Sequence, residues 1–500
     1  MEYSCSRRVF LAKFVVATMV ATAGGAAPAY ALVHSRKACW VNDMHAQLNH
    51  CKVSSWIVLR SPTQAASQIK RASYEPDGHL AICGSRHAGG GQQFATGAPL
   101  LDVTGMKKVL AYDATNGLIT VQSGACWPEL IAWLRRRDSP WTFRQKQTGN
   151  DDLTIGGTLS ANAHGQGLKF KPIIGDIEYF ELMMADGSIR HCSRSEDAEL
   201  FKLAIGGYGN FGLITQATLR LAKRIKYRIG VQQCQVSDIL MKYEHAVKAG
   251  AVYGDFQCDI NDQGSGFLRG GIWKAYYPVE ANTLLTEVHP IQPSQWEDLV
   301  YLAHTDKRKA WEVFSQRLLS MDKAVNYSDF WQSSPYVHNY HADIDKRLNA
   351  TAPGSEVLTE LYVPLASVES FLEDSRQLIL SNKATMLYST VRFIERDDES
   401  FLPWARSMSA CVIFNFHTDH DGKGEGITEM ACRQLIDVAI KYGGSYYLTY
   451  HRYARKNQIL ACYPEFPEFL KLKKKYDPSL VFRSDWYQFY DDIFAGRREC

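Results

Sequence analysis

Residues Ile82–Gly97 read ICGSRHAGGGQQFATG. A buried-strand pattern, LAICGS (Leu80–Ser85), runs into Gly84, and the glycine run Gly89–Gly91 follows a single histidine, His87. Glycine reaches positive φ at little steric cost and lets backbone N–H groups come close to an anion. The loop therefore suits a phosphate. His87 is either an ordinary solvated loop residue or a group that acts on whatever the loop holds. One such loop decides little, because glycine also punctuates ordinary turns. Two more follow between residues 54 and 222: TIGGTLSANAHGQG (Thr154–Gly167) and GGYGNFGLITQATLRL (Gly206–Leu221).

The glycine patterns exclude two common nucleotide folds. There is no G-x-x-x-x-G-K-[ST], and no G-x-G-x-x-G joins a first strand to a first helix with an acidic residue about 20 positions on. A cradle assembled from several loops is needed instead. Around the loops, strands and helices alternate. SSWIVLRSPTQAASQIKRAS (Ser54–Ser73) reads as a strand, Ser-Pro and an amphipathic helix. Asn116-Gly117 and Asp186-Gly187 mark two hairpins. Trp127-Pro128-Glu129 opens a helix, with proline in its first turn. From about Lys223 to Ile413, long strand-like runs such as SGFLRGGIWKAYYP (Ser265–Pro278) and LTELYVP (Leu358–Pro364) mix with helical segments, as in an α+β lobe. There are no internal repeats or low-complexity linkers.

The three loops, taken in order and spacing from about residue 49 to 224, resemble the FAD-binding domain of the vanillyl-alcohol oxidase and p-cresol methylhydroxylase superfamily. The C-terminal stretch YLTYHRYARKNQILACYPEFPEFLKLKKKYDPSLVFRSDW (Tyr447–Trp486) is similar, more loosely, to the sugar and aldonolactone oxidase branch and to decaprenylphosphoryl-ribose oxidases. The resemblance implies an α+β fold: a two-subdomain FAD-binding domain over 49–224, a substrate cap over 225–440, and a segment 441–500 that returns to the flavin site.

It also implies roles for particular residues. Gly84, Ser85, Arg86, His87, Ala88 and Gly89 would wrap the FAD pyrophosphate. Many members bond the flavin 8α carbon to a histidine of this loop, usually within Gly-x-x-His-Ser. His87 stands at that place, with Ala88 where serine is common. A second covalent attachment needs a cysteine in the middle loop, which has Asn162 and His164 instead. Gly156 and Gly157 would line the pyrophosphate and flavin, with Thr148, Gly149, Asp152, Ser160, Asn162, His164 and Gly165 as neighbours. Gly209 and Ile214 match positions near the adenine end. His164 reads equally as a polar group beside the flavin or as one that only orients the loop.

A flavin takes hydride from a carbon next to oxygen or nitrogen, so the chain must manage a proton and developing charge. The ribose-oxidase branch carries a lysine in the tail strand. Here that position is Tyr450, followed by His451. The expectation is His451 as base and Tyr450 as hydrogen-bond donor, with Tyr450 and Tyr447 on opposite faces of a strand. Glu360 and Arg392 lie in strand-like cap segments, where inward charges are unusual unless paired. They either pair with each other or face substrate. Phe414–Gly422 (FNFHTDHDG) offers His417, Asp419 and His420, but one local cluster without a partner elsewhere reads as a polar turn, and no metal is expected. Lys146 either leans toward the flavin or lies on the surface.

Composition narrows the class. Lys+Arg exceed Asp+Glu by 3 over 500 residues, which is no nucleic-acid footprint. The run LKLKKKY (Leu470–Tyr476) reads as a solvated helix face. Residues 1–31 contain Arg7-Arg8, Phe10-Leu11, an Ala-rich apolar stretch and Ala29-Tyr30-Ala31, the pattern of a twin-arginine export signal with its cleavage site. That places the mature chain in the periplasm or outside the cell, where disulfides are permitted. Of twelve cysteines, Cys39 and Cys51 are near enough in sequence to pair; most others read as buried thiols.

The expected protein is an exported FAD-dependent oxidoreductase. Its substrate would be the CH–OH carbon of a polyol, sugar, sugar lactone or lipid-linked sugar, with O2 or a respiratory acceptor reoxidising the flavin. Membrane contact stays open. Two rival readings are an electron-transfer subunit that works with a partner and a catalytically silent FAD-binding protein.

Overall fold

The structure is a computed structural model that describes residues 35–334, 337 and 340–498. The expected export signal over 1–31 lies outside the described residues. Three sheets organise the chain. The first orders β1 (Ser35–Val41), β2 (Cys51–Val58), β4 (Pro99–Asp102) and β3 (Ala81–Cys83). The β2–β4 and β3–β4 pairs are parallel, and α1 (Pro62–Tyr74) follows β2. Ser61 caps α1, its side chain accepting from the Gln64 N–H, with proline in the first turn.

The second sheet runs β5 (Val109–Asp113), β6 (Leu118–Gln122), β10 (Leu213–Lys223), β8 (Ile177–Met183), β9 (Ile189–Ser193), with β7 (Trp141–Phe143) also on β10. Both expected hairpins are present, β5–β6 across Asn116-Gly117 and β8–β9 across Asp186-Gly187. Helices α2 (Trp127–Arg135), α3 (Ile155–Ala161) and α4 (Ala198–Ala204) belong to this half.

The chain leaves β10 at Lys223 and enters an eight-stranded sheet at Lys226. Its order is β14 (Val325–Tyr327), β11 (Lys226–Gln235), β13 (Gly270–Pro278), β12 (Tyr253–Cys258), β16 (Met386–Ile394), β17 (Ser409–Asp419), β15 (Gly354–Pro364) and β18 (Ser445–Tyr446). Its helices are α5 (Ile239–Lys248), α6 (Pro293–Thr305), α7 (Lys307–Leu319), α8 (Ser328–Trp331), α9 (His341–Leu348), α10 (Val368–Asn382) and α11 (Lys423–Lys441). The tail adds α12 (Lys456–Cys462), α13 (Phe466–Tyr476) and α14 (Asp485–Phe494). The fold is mixed α/β.

The tail returns to the first half of the chain. Leu80 forms a parallel bridge with Phe482, and the Leu80 N–H donates to the Val481 carbonyl at 2.8 Å. The N–H groups of Gly89 and Gly90 both donate to the Thr449 carbonyl, at 3.0 and 3.2 Å. One continuous apolar core includes Trp127 and Phe180 from the first half, Phe256 and Phe393 from the large sheet and Trp486 from the tail. Each such side chain contributes about 1.5–3 kcal/mol when fully buried, so the tail is held by burial as well as by these hydrogen bonds.

Three expectations change here. Cys39 and Cys51 do not pair: the β1–β2 register sets Cys39 opposite Val53 and Cys51 opposite Val41, and no disulfide forms among the described residues. The basic run on α13 is not wholly solvated. Lys473 is fully buried, donating to the Asn210 carbonyl at 2.7 Å and pairing with Asp477. Tyr447 and Tyr450 do not alternate along a strand, because β18 ends at Tyr446 and a turn follows; their rings meet edge-on with centroids 5.6 Å apart.

Candidate active site

A cavity of about 1020 Å³ lies between the glycine loops and the large sheet. Gly84, Ser85, Arg86, His87 and Ala88 line it from the first loop, and Thr148, Gly149, Gly156, Gly157 and Ser160 from the second. Gly209 and Ile214 line it from the third. The loops approach so closely that a Cβ on Gly84 would sit 2.2 Å from Thr154 Oγ1. A Cβ on Gly89 would sit 2.6 Å from the Tyr450 carbonyl oxygen. Real Cβ atoms do not tolerate such contacts, so glycine at these two positions lets the first loop nest against the second loop and the tail.

Arg86 and His87 are fixed in different ways. The Arg86 guanidinium donates to the Asn42 carbonyl at 3.1 Å and stacks over the Trp56 ring, tying the loop to the first sheet. His87 is buried on the cavity wall, with Nδ1 2.6 Å from Asn150 Nδ2 and 3.2 Å from His45 Nε2. Asn150 continues the chain of contacts, its Oδ1 accepting from the Asp152 N–H.

On the opposite wall Glu360, from β15, is 1% exposed. Its Oε1 accepts from the Tyr450 hydroxyl at 2.7 Å. Its Oε2 accepts from the Tyr362 hydroxyl at 2.8 Å and lies 3.1 Å from His164 Nε2. The other nitrogen of His164 faces the Gly165 carbonyl at 3.1 Å. Burial works against the Glu360 charge, but His164, Arg392 and the Tyr450 hydroxyl outweigh it and hold the carboxyl below its usual range. Burial, then the Glu360 charge, pushes the Tyr450 phenol well above its ordinary value, so it is a neutral donor. Glu360 and Tyr450 line the cavity; His164 stands behind Glu360.

Arg392, on β16, donates from Nη2 to the Thr148 carbonyl at 2.8 Å. The residue lines the cavity, and its Nε and Nη1 are buried with no hydrogen-bond partner among the described residues. It forms no ion pair with Glu360 within the described contacts, so the bland expectation of a mutual pair gives way to one of a cationic group facing the cavity.

Several expected residues stand elsewhere. His451 is not on the cavity wall. It stacks on Tyr453 with centroids 4.8 Å apart, and its Nε2 meets Thr359 Oγ1 at 3.0 Å. Burial pushes its imidazole down to about 3, and its ring packs against Tyr453 and Thr359 rather than lining the cavity. Asn162 ends α3 in the left-handed conformation, and its side chain bonds Asp397 at 2.8 Å and the Ile174 N–H at 3.3 Å. That is a scaffold role. Gly89, Asp152, His164 and Gly165 also lie one layer behind the wall; Asp152 supports the loop by accepting the Ser85 hydroxyl at 2.5 Å. Lys146 is neither exposed nor on the wall, being buried against Asp151.

Other wall residues had no sequence signal strong enough to single them out. Ser123, Gln147 and Thr158 line the cavity near the glycine loops. Each has a buried side-chain oxygen with no hydrogen-bond partner among the described residues: Ser123 Oγ, Gln147 Oε1 and Thr158 Oγ1. Buried polar atoms are normally satisfied. Unsatisfied ones gathered around a Gly-built hollow fit a polar, phosphate-bearing group such as FAD. Deeper in the large sheet, Lys274 Nζ lies 3.0 Å from Asp255 Oδ1 on adjacent strands, and both line the cavity. Beyond them the wall is apolar, formed by Val300, Ala303, Trp311, Phe314 and Leu318 of α6 and α7.

Comparison with known proteins agrees with this geometry. A family profile described as FAD binding domain matches residues 56–193, and one described as D-arabinono-1,4-lactone oxidase matches residues 304–490. An uncharacterized oxidoreductase, ORF5 in the fasciation locus of Rhodococcoides fascians, is 33% identical over 148 residues, 28% of this chain and 32% of that protein. Cytokinin dehydrogenase 7 of Oryza sativa subsp. japonica is 26% identical over 224 residues, 40% of each chain. L-Galactono-1,4-lactone dehydrogenase 1, mitochondrial, of the same plant is 30% identical over 127 residues, 25% of this chain and 21% of that protein. The matches thus span between a fifth and two fifths of these relatives. With the two profiles in chain order, and a glycine-lined hollow where the first calls for FAD, the chain belongs to the FAD-dependent oxidoreductase superfamily of vanillyl-alcohol oxidase and p-cresol methylhydroxylase.

Proposed function

We propose that the protein oxidises the CH–OH carbon of a polyol, sugar, sugar lactone or lipid-linked sugar. The observation that carries this reading is the hydrogen bond between Tyr450 and Glu360 on the wall facing the glycine loops, with His164 behind Glu360. Oxidation of CH–OH to C=O removes a hydride and a proton. Bound FAD, held by the three loops and the oxygens of Ser123, Gln147 and Thr158, supplies the hydride acceptor. The chain's own residues must take the proton.

Tyr450 reaches the cavity with its hydroxyl hydrogen already directed at Glu360. A substrate hydroxyl that donates to the Tyr450 oxygen can pass its proton there while Tyr450 passes its own to the ionised Glu360. His164 and Tyr362 hold the carboxylate in place for that transfer. Arg392 lines the same space with two donor nitrogens unpartnered among the described residues, and stabilises developing negative charge. The Asp255–Lys274 pair offers hydrogen bonds to a hydroxylated head, and the apolar wall of α6 and α7 offers room for a hydrocarbon portion. Together they favour a substrate that joins the two.

The Arg7-Arg8 leader supports an exported protein. His87 on the cavity wall supports covalent flavin attachment, and O2 or a respiratory acceptor would complete the cycle.

The deciding experiment is anaerobic bleaching of the purified flavoprotein with a panel of sugar-like alcohols. Bleaching by a single compound supports the reading. Bleaching only on addition of a partner protein points to an electron-transfer subunit, and a colourless protein points to a silent binder; either result would overturn it.

A further inference from the structure

A second polar cluster lies on the cavity wall away from the proton relay. Glu356, four residues before Glu360 on β15, is buried and lines the cavity. Its Oε2 accepts the Tyr340 hydroxyl and lies 2.7 Å from His341 Nδ1 at the start of α9. Its Oε1 lies 4.0 Å from His304 Nε2 on α6. In the strand register Glu356 stands directly opposite His417 of β17. The His417 and His304 rings meet edge-on, with centroids 4.5 Å apart.

His417 Nε2 donates to Asp419 Oδ1 at 3.1 Å, because a carboxylate accepts. Both His417 Nδ1 and His304 Nε2 are buried with no hydrogen-bond partner among the described residues. One ligand-type atom each of His304, Glu356 and His417 lies within 4.8 Å of the others. FNFHTDHDG alone lacked a partner; the fold supplies partners from α6, α9 and β15.

We propose that His304, Glu356 and His417 bind one divalent transition-metal ion of the zinc class, with His341 and Tyr340 positioning the Glu356 carboxylate. Two imidazoles and a carboxylate suit zinc and its neighbours better than calcium or magnesium, which favour oxygen ligands. Asp419 behind His417 and Tyr340 behind Glu356 form the outer hydrogen bonds that metal ligands characteristically carry, and His341 Nδ1 stands 2.7 Å from the Glu356 carboxylate. Three protein ligands leave a further coordination position for water or a substrate oxygen. The proposal does not depend on the alcohol-oxidation reading.

The test uses the full-length flavin-loaded protein, stripped with a chelator and dialysed against ZnCl2, with bound metal measured by elemental analysis. CoCl2 serves as a second probe, read as the visible d–d difference spectrum of the cobalt-loaded protein. One ion per chain is expected. The double variant His304→Gln/His417→Gln should lose it while keeping its flavin, and His341→Gln should bind roughly 10–100-fold more weakly. If the unmodified protein shows no cobalt band, or binds no more zinc than the double variant, the site does not exist. Should the double variant fail to fold, the cobalt spectrum of the unmodified protein decides alone.

Discussion

Tyr450 and Glu360, 90 positions apart in the chain, are joined by a hydrogen bond of 2.7 Å on the cavity wall. In the proposed mechanism the tail supplies the group that meets substrate, and the large sheet supplies the group that receives its proton. Removing the hydroxyl should leave the packing intact. Tyr450→Phe is expected to lower kcat by about 10²–10⁴, the usual contribution of positioned proton transfer. Flavin content should stay unchanged. Stopped-flow bleaching of the flavin measures it, and an unchanged rate would remove Tyr450 from the mechanism.

Glu360 sets the acid side of the pH profile. Its carboxyl is held below the usual range in the folded protein despite burial. The stability it contributes is therefore fully present above the ordinary glutamate value, about 4.3, and is lost as pH falls through the lower folded value. Activity should fall over the same acidic range, because the proton acceptor becomes occupied. Glu360→Gln should abolish that acid limb along with most activity. It should also destabilise the fold, because the Tyr450 and Tyr362 hydroxyls and His164 Nε2 all converge on this buried carboxylate. Rate-against-pH curves and thermal melts of both proteins check this.

Arg392 holds the Thr148 carbonyl with one nitrogen and leaves two buried with no hydrogen-bond partner among the described residues. Arg392→Met is expected to reduce kcat by about 10²–10³, as loss of a preorganised charge-stabilising donor does. Binding of substrate should be less affected. Separate determination of kcat and KM distinguishes this from a general loss of fold, which would lower flavin content as well.

The proposed covalent attachment of flavin through His87 has a direct test. After acid precipitation of the purified protein, yellow colour is expected in the pellet, and His87→Ala should move it to the supernatant. Colour in the supernatant of the unmodified protein would exclude the covalent bond and leave binding by the loops intact.

A purely structural expectation concerns the tail. Asp477 pairs with the buried Lys473 and also accepts the N–H groups of Val481 and Phe482, each at 2.9 Å. Asp477→Ala would leave a buried ammonium without its counter-ion, at a cost of about 3–5 kcal/mol. A large drop in melting temperature is expected; a shift of a degree or two would show that the pair is dispensable.

Much of the flavin half was legible from local chemistry. Asn116-Gly117 and Asp186-Gly187 each specify a tight hairpin through the backbone angles of two residues. Pro128 and Ser61 mark helix starts for equally local reasons. The glycine loops were readable because only glycine fits where backbone meets backbone, as at Gly89 against the Tyr450 carbonyl. Roles that depend on the direction of a side chain were less legible. Asn162 and His164 lie inside the middle loop's motif, yet both point away from the cavity, into the packing behind it. His451 seemed the natural base beside Tyr450, but the turn after Tyr446 sends neighbouring side chains to different surroundings, one wet and one sealed.

By itself the sequence determined the phosphate-suited glycine loops and the tight turns, because each rests on short-range rules of backbone geometry, and its family resemblance gave the class of cofactor. Only the tertiary structure decided which polar groups meet. Glu360 finds Tyr450 and His164, and Glu356 finds His304, His341 and His417, through strand register and tail docking. Those contacts join residues far apart in the chain, and they are set by how several apolar clusters close between the sheets and the tail rather than by any pattern within a single segment.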